Sequence, residues 1–500
     1  MPTDPTTPPT APVDPRGFFG HPRGLATLFF TEMWERFSYY GMRAILILYL
    51  TATVADGGLG MDVGRAGAIY GLYTAFAYLT ALPGGWIADR LIGQRRAVLV
   101  GGIVIALGHF SLAIENMACF YLGLLLIVVG TGLLKPNVST LVGELYPEGG
   151  ARRDAGFSIY YMGINTGAFI GPLVVGLLGE RYDWHLGFAA AGVGMVLGLV
   201  QYVLGGRLLG SAGLKPDRPT SGASPGRGLL LGIVGVVLVV AVALALRSFG
   251  VIRLTADGLA NATGVIIAAI AVLYFLFLFL SGDLDRAEKG RVGVIAIFFL
   301  AAAAFWAGFE QAGSSFNLFA ERMTDLNVFG WEMPASWFQS VNSLFIIGGG
   351  AAFFAWLWVA LAQRGREPSS PMKFASGLIF LGLGFLVMVA AAGFAAGGVK
   401  VSPWWLVLTY FLHTVGELCL SPVGLSTVTK LAPHRKVGQM MGVWFMGSAL
   451  GNLIAGQVAG LFEAMPLPRL FGIMTAVSIG LGLLLAVLAR PIRRLMGGVQ

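Results

Sequence analysis

The chain has 500 residues, of which 56% are hydrophobic and only 12% charged, against about 25% charged residues in a soluble domain. With a mean hydropathy of +0.77, this composition excludes a water-soluble globule and points to a lipid bilayer. The net charge of +8 would suit nucleic acid only if gathered on a soluble face, and the sequence has no room for such a domain, so no nucleic-acid partner is expected.

Residues 1–23, rich in Pro and Thr with neither a basic n-region nor a small-residue cleavage site, read as a short disordered cytoplasmic tail. Apolar stretches long enough to cross about 30 Å of hydrocarbon then recur to the end of the chain. We count about 14, near residues 24–52, 66–89, 95–115, 117–143, 155–179, 185–207, 228–248, 258–282, 291–320, 334–362, 372–397, 402–431, 437–462 and 467–489. An even number returns both termini to one side. That side is the cytoplasm, because this threading puts roughly 23 Lys and Arg inside, about 7 outside and about 3 buried.

The first span carries the strongest signal. Glu32, Glu35, Arg36, Tyr39, Tyr40 and Arg43 fall within one arc of roughly 140° on a helix. A charge at the bilayer centre costs roughly 2.5 to 3.5 kcal/mol even on the lenient insertion scale, so this stripe must line a protein interior or a water-filled cavity. Further along, membrane-depth charges are isolated: Lys135 before Pro136, Glu310 four residues after Trp306, and Glu417 four residues after His413. Seven such charges cannot face lipid, and they are expected to converge. Four carboxylates (Glu32, Glu35, Glu310, Glu417) oppose three cations (Arg36, Arg43, Lys135), so one proton would neutralise the set. Arg43 offers a fork for a carboxylate, Lys135 a point charge, and Glu417 an acceptor for an ammonium. Such a site is bipolar and suits a zwitterion. Purely structural interhelical ion pairs are the competing reading, a costly use of seven charges.

Two composition breaks divide the chain. Residues 208–227, with Pro216, Pro219 and Pro225, and the charged run Asp283 to Arg291 bracket one hairpin without charges until its ends, which reads as a lipid-facing accessory. The expected organisation is a first six-span bundle over 24–207, a linker and inserted hairpin over 208–290, a second six-span bundle over 291–490, and a cytoplasmic tail over 491–500. This all-α polytopic plan of 6+6 spans resembles the major facilitator superfamily. The loop Gly85-Trp-Ile-Ala-Asp89-Arg90-Leu-Ile-Gly93-Gln-Arg95-Arg96 resembles that superfamily's G-x-x-x-D-R-x-x-G-R-R signature. In it, Gly93 permits a tight turn and Asp89 can pair with a neighbouring helix end. Cys119 and Cys419 sit in or beside separate apolar spans, where packed thiols are favoured over a disulfide or metal pair. No metal and no cofactor are expected.

A closer resemblance lies in Glu32-Met-Trp-Glu35-Arg36-Phe37-Ser-Tyr39-Tyr40-Gly41, which is similar to the E-x-x-E-R-F-x-Y-Y-G signature of proton-dependent oligopeptide transporters. Gly132-Leu-Leu-Lys135-Pro136, Tyr161-Met-Gly-Ile-Asn165, Phe338-Gln339-Ser-Val-Asn342 and Gly416-Glu417-Leu-Cys-Leu-Ser421-Pro422 follow in order and are similar to motifs of the same family. The inserted hairpin resembles its bacterial members. The resemblance implies a symporter of di- and tripeptides driven by protons, functional as a monomer in the bacterial inner membrane. It implies proton coupling by Glu32, Glu35, Arg36, Lys135 and Glu310. It also implies gates made by Arg43 with Glu310 and by Lys135 with Glu417, both pairs within reach when the carrier faces inward. Substrate binding is expected from Arg43, Lys135, Asn165, Glu310, Asn342, Glu417 and Ser448, with Tyr39, Tyr40, Tyr78, Trp306 and Trp444 shaping side-chain pockets. His413 could titrate, although a structural role suits a buried histidine better. The alternative on the same fold is a carrier of nitrate or another small organic anion. An enzyme is disfavoured, because His21, His109, His185, His413 and His434 are scattered and no metal-binding spacing such as H-E-x-x-H occurs.

Overall fold

The computed structural model describes residues 17–216, 255–280 and 282–498; the span expected at 228–248 lies outside them. Residues 17–22 make a turn closed by a Phe18–His21 bridge. The first set of helices is α1 (Arg23–Thr51), α2 (Val63–Leu79), α3 (Ala81–Ile87), α4 (Gln94–Leu112), α5 (Met117–Glu144), α6 (Gly150–Arg181) and α7 (Trp184–Gly205). Helix α8 (Ala256–Leu280) follows in the chain. The second set is α9 (Arg286–Phe309), α10 (Ser315–Met323), α11 (Gln339–Phe345), α12 (Ala351–Gln363), α13 (Ser370–Ala395), α14 (Trp404–Leu431), α15 (Val437–Ala459) and α16 (Leu467–Leu495). A two-residue hairpin, β1 (Asn327–Val328) with β2 (Trp331–Glu332), lies between α10 and α11.

Helix is the only open structure in which lipid leaves no backbone group unsatisfied, hence the near-absence of strand. Polar residues mark the starts. Asp62 accepts from Arg65 N at 2.8 Å, Asn116 from Ala118 N at 2.8 Å and Asp183 from Leu186 N at 3.0 Å. Asp285 and Glu288 close a reciprocal box before α9, satisfying end donors that would otherwise be orphaned. Ten of the described segments are long and apolar enough to cross a membrane. The others expected to cross depart for visible reasons. Helix α1 carries the charged stripe, α2 breaks from α3 at Thr80, and α15 is diluted by Gly, Gln, Ser and Asn.

Within each set, backbones approach through small residues, the packing that lipid favours. A Cβ on Gly101 would meet Gly130 O at 2.7 Å, one on Gly108 would meet Gly123 O at 2.8 Å, and one on Gly416 would meet Gly377 O at 2.7 Å. Between the sets, α2 packs on α15 and α6 packs on α11. Helix α8 rests on both α2 and α15, with Ala260 and Ala271 turned in and Val265, Leu273 and Leu280 exposed. It therefore covers the seam between the two sets.

Three spans expected as single helices are interrupted. The second divides into α2 and α3. Another stops at Phe309, makes a tight turn over Glu310–Gly313 and restarts at Ser315. The third joins α11 to α12 through a wide turn where Gly349 adopts φ 117°, a value that suits glycine. Interrupted helices place free backbone groups and side chains in the middle of a bundle, where a polar ligand could reach them.

Candidate functional site

The polar stripe of α1 is buried as the cost of lipid exposure requires: Glu32 is 1% exposed, Glu35 0% and Arg36 3%. Arg36 donates two bonds to Glu35, through Nε to Oε2 and through Nη2 to Oε1, the latter at 2.5 Å. Its Nε also lies 3.3 Å from Glu32 Oε1, one helical turn back. One guanidinium thus serves two carboxylates. Tyr39 and Tyr40 cover it, with ring centroids 4.9 and 5.7 Å from Arg36 Cζ.

Two turns further on, Arg43 reaches across the seam. Its Nη1 lies 2.6 Å from Glu310 Oε2, on the turn between α9 and α10, and the Tyr40 ring lies 5.0 Å from its Cζ. This pair, both members nearly fully buried, ties the first set of helices to the second.

Lys135 and Glu417 behave differently. Lys135 is half-buried on α5, its Nζ 4.3 Å from the centroid of the Tyr78 ring. Glu417 is half-buried on α14, its Oε2 accepting from Asn342 Nδ2 at 2.9 Å. Asn342 Nδ2 also lies 2.9 Å from Thr414 Oγ1. Among the described residues neither Lys135 nor Glu417 has an ion-pair partner. The expectation that both cross-seam pairs close together is therefore not met: Arg43–Glu310 is made and Lys135–Glu417 is apart. A cavity of about 570 Å³ opens on the Lys135 side, lined by Tyr78, Trp86, Asp89, Arg90, Lys135 and Phe445.

The remaining expected residues divide. Asn165 is buried on α6, with its Nδ2 donating to Tyr161 O at 3.0 Å. Trp306 is half-buried one turn before Glu310, and among the described residues its Nε1 has no partner. Ser448 is buried and its carbonyl accepts from Asn452 Nδ2 at 2.9 Å. Two aromatics expected in pockets are packed away instead. Tyr39 stacks on Tyr73 with centroids 6.1 Å apart. Trp444 abuts Gly424 and meets Phe374 edge to face at 6.3 Å, inside the second set. His413 is held by Leu381 O at 3.1 Å among Phe309, Phe316 and Phe385, a structural setting.

Sequence reasoning missed most of what closes the seam on the face that carries the C-terminus of α1, hereafter the upper face. Asn317 Nδ2 donates to Ala44 O at 2.6 Å and Gln339 Nε2 to the same carbonyl at 3.3 Å. Gly67 and Gly71 on α2 meet Gly456 on α15 backbone to backbone. The signal for the latter was present as Gly67-x-x-x-Gly71, a small-residue spacing that marks close helix contact.

Comparison with known proteins agrees with this architecture. The POT family model, PTR2, matches residues 95–474. The chain is 46% identical over 502 residues to the peptide transporter YePEPT of Yersinia enterocolitica, covering 97% of each chain. It is 38% identical over 491 residues to the di-/tripeptide transporter of Lactococcus lactis, covering 97% of this chain and 98% of that one. A crystal structure of a peptide transporter POT in complex with sulfate superposes with a TM-score of 0.91 at 46% identity, over 97% of this chain and 98% of that chain.

Proposed function

We propose that this chain, which belongs to the POT family of membrane transporters, carries di- and tripeptides across the bilayer with protons by alternating access. The carrying observation is the charge arrangement. Glu32 and Glu35 share Arg36, and Glu310 holds Arg43, so one cation and one anion, Lys135 and Glu417, are left on opposite walls without opposite charges of their own. A zwitterionic peptide supplies both missing partners, its carboxylate toward Lys135 and its ammonium toward Glu417. Asn165 and Asn342 serve the backbone between, and Tyr40, Tyr78 and Trp306 border the side chains.

In this reading the upper face is extracellular, the lower face and both termini are cytoplasmic, and the chain works as a monomer in a bacterial inner membrane. The two sets of helices act as the rocking bundles, 24–207 and 291–490, with the 208–290 insert beside them and tails at 1–23 and 491–500. Closure of Arg43 on Glu310 with Lys135 released describes the inward-facing state. Protonation of the Glu32, Glu35 and Arg36 group would free Arg36 to rearrange, which couples the proton to the rocking step.

Uptake by proteoliposomes under an imposed pH gradient tests the assignment. Free dipeptides should accumulate, and N-acetylated dipeptides should compete at least tenfold more weakly, a difference of about 1.4 kcal/mol. The Glu417→Ala variant should erase most of that discrimination, because the site would no longer hold a buried acceptor built for the ammonium. Glu32→Gln or Glu35→Gln should abolish pH-driven accumulation while leaving exchange of peptide down its gradient. Equal competition by acetylated and free dipeptides, with uptake of nitrate instead, would overturn the substrate.

A further inference from the structure

On the upper face, α6 and the segment leading into α11 are joined along one stripe. Ser340 Oγ donates to Phe169 O at 2.7 Å and Trp337 Nε1 to Leu173 O at 3.0 Å. Gly176 makes room for Ser336, since a Cβ there would overlap the Ser336 hydroxyl. At the end of the stripe, Glu180 receives Ala335 N at 2.8 Å, Ser336 N at 3.0 Å and the Ser336 hydroxyl. Residues 169, 173, 176 and 180 follow the i, i+4, i+7, i+11 repeat of one helix face.

The charges around Glu180 are spoken for elsewhere. Arg181 pairs with Glu332 at 3.2 Å, and Arg322 with Glu463 at 2.5 Å and Glu321 at 3.5 Å. Asp56 and Asp183, which line the same 650 Å³ recess, are also acidic. Among the described residues no cation pairs with Glu180, so its carboxylate is held entirely by three donors from the other half of the molecule. Those donors include the two free amides that open the 335–338 turn, groups that seek an anion.

We propose that Glu180 is a positioning residue of the transport cycle: a detachable cap on residues 335–336 that holds the upper face shut independently of Arg43 and Glu310. The contact is suited to a switch because its polar groups are satisfied both when it is made and when it parts. Water entering the opened face takes over all four groups, whereas a closed face without the cap leaves two buried amides unsatisfied. The proposal rests on the alternating-access reading above, so its test measures opening itself.

Spin labels at Tyr182→Cys and Phe329→Cys, both exposed positions on opposite halves, report the width of the upper face by pulsed electron resonance in lipid nanodiscs, with Cys119 and Cys419 replaced. Without peptide, Glu180→Gln should shift the ratio of wide to narrow distances at least tenfold toward wide. Ser336→Ala, which removes one donor and spares both amides, should shift it at least twofold the same way. External half-saturation for dipeptide should fall in Glu180→Gln as more carrier faces outward, while the maximal rate also falls. A merely structural role would lower the rate alone. An unchanged distance distribution in Glu180→Gln overturns the proposal; if that variant does not fold, an unchanged distribution in Ser336→Ala does so. Dipeptide uptake by the labelled wild type, measured in parallel, reports on the function separately.

Discussion

On the upper face the two halves meet through backbone and buried charge. Gly67 and Gly71 lie against Gly456, Asn317 and Gln339 donate to Ala44 O, and Arg43 holds Glu310 at 2.6 Å. On the lower face they meet through side chains with space between. Gly442 faces Leu82, a cavity of about 570 Å³ opens beside Lys135, and among the described residues Lys135 and Glu417 stand without ion-pair partners. Shape-matched, dehydrated contacts are strong but tolerate no gap, whereas charged side chains on a wet face can part and meet again at small cost. The difference teaches how one chain can favour a closed upper face while keeping the lower one free to move.

The largest effect should come from Arg43. Removing it leaves Glu310, 3% exposed, as a buried charge without its cation, and breaking a buried pair from one side costs about 3 to 5 kcal/mol. Arg43→Ala should therefore lower thermal stability in detergent clearly and stop pH-driven uptake. Arg43→Ala combined with Glu310→Ala should recover most of the stability, since no lone charge remains, but not the driven uptake. Unfolding temperature and uptake both at wild-type levels in the single variant would mean that the pair does not hold the face.

Next in size is the glycine seam. A Cβ on Gly456 would collide with Gly67 O and lie 2.8 Å from Gly71 N, whereas one on Gly442 would find Leu82 at 3.4 Å, an ordinary contact. Overpacking costs about 1 to 3 kcal/mol. Gly456→Ala should weaken closure of the upper face by that amount, read as a wider distance between labels across it. Gly442→Ala should stay within about 0.5 kcal/mol of wild type. Equal responses of the two would erase the contrast between the faces.

The two faces were not equally legible in the sequence. Seven charges at membrane depth were conspicuous because lipid makes each expensive, so Glu32, Glu35, Arg36, Arg43, Lys135, Glu310 and Glu417 could be picked out along with the helical, multi-pass fold. Glu180 carries the same chemistry but sits at the end of a span, where a charge costs little and reads as an ordinary boundary. Its donors lie 155 and 156 residues away, beyond any local pattern. Which pair is closed was not legible either, because that is a property of the conformation and one sequence serves both. The break at Gly349 lay in a plain run of three glycines, and the turn at Glu310 had no comparable mark. Tyr39 and Trp444 were assigned to pockets through the family resemblance, which fixes a position on a helix but not whether a neighbour such as Tyr73 or Phe374 already fills the space.

Lys135 sharpens the contrast from the lower side. Among the described residues it forms no ion pair, so Lys135→Ala removes a cation–π contact with Tyr78, worth about 0.5 to 1 kcal/mol, and a longer-range attraction to Glu32 and Glu35 that Arg36 largely offsets. Stability of this conformation should change by no more than that. Driven uptake should nevertheless fall steeply, because closing the lower face would leave Glu417 without its partner. A loss of stability matching that of Arg43→Ala would show that Lys135 already carries structural weight on the open face.

The smallest effect is expected at Arg181, the neighbour of Glu180 in sequence. Its pair with Glu332 also crosses between the halves of the upper face, but the two side chains are 33% and 58% exposed. Such pairs are worth about 0.2 to 1 kcal/mol and are screened by salt. If closure depended on opposite charges meeting across the seam, Arg181→Ala and Glu180→Gln would act alike. If it depends on dehydrated contacts, Arg181→Ala should shift the wide-to-narrow ratio less than about fivefold. Raising the salt to about 1 M, where the screening length falls to roughly 3 Å, should then reproduce its effect in the wild type while leaving the Glu180 contact in place. A shift by Arg181→Ala as large as that of Glu180→Gln would move the latch from the half-buried carboxylate to the exposed ion pair.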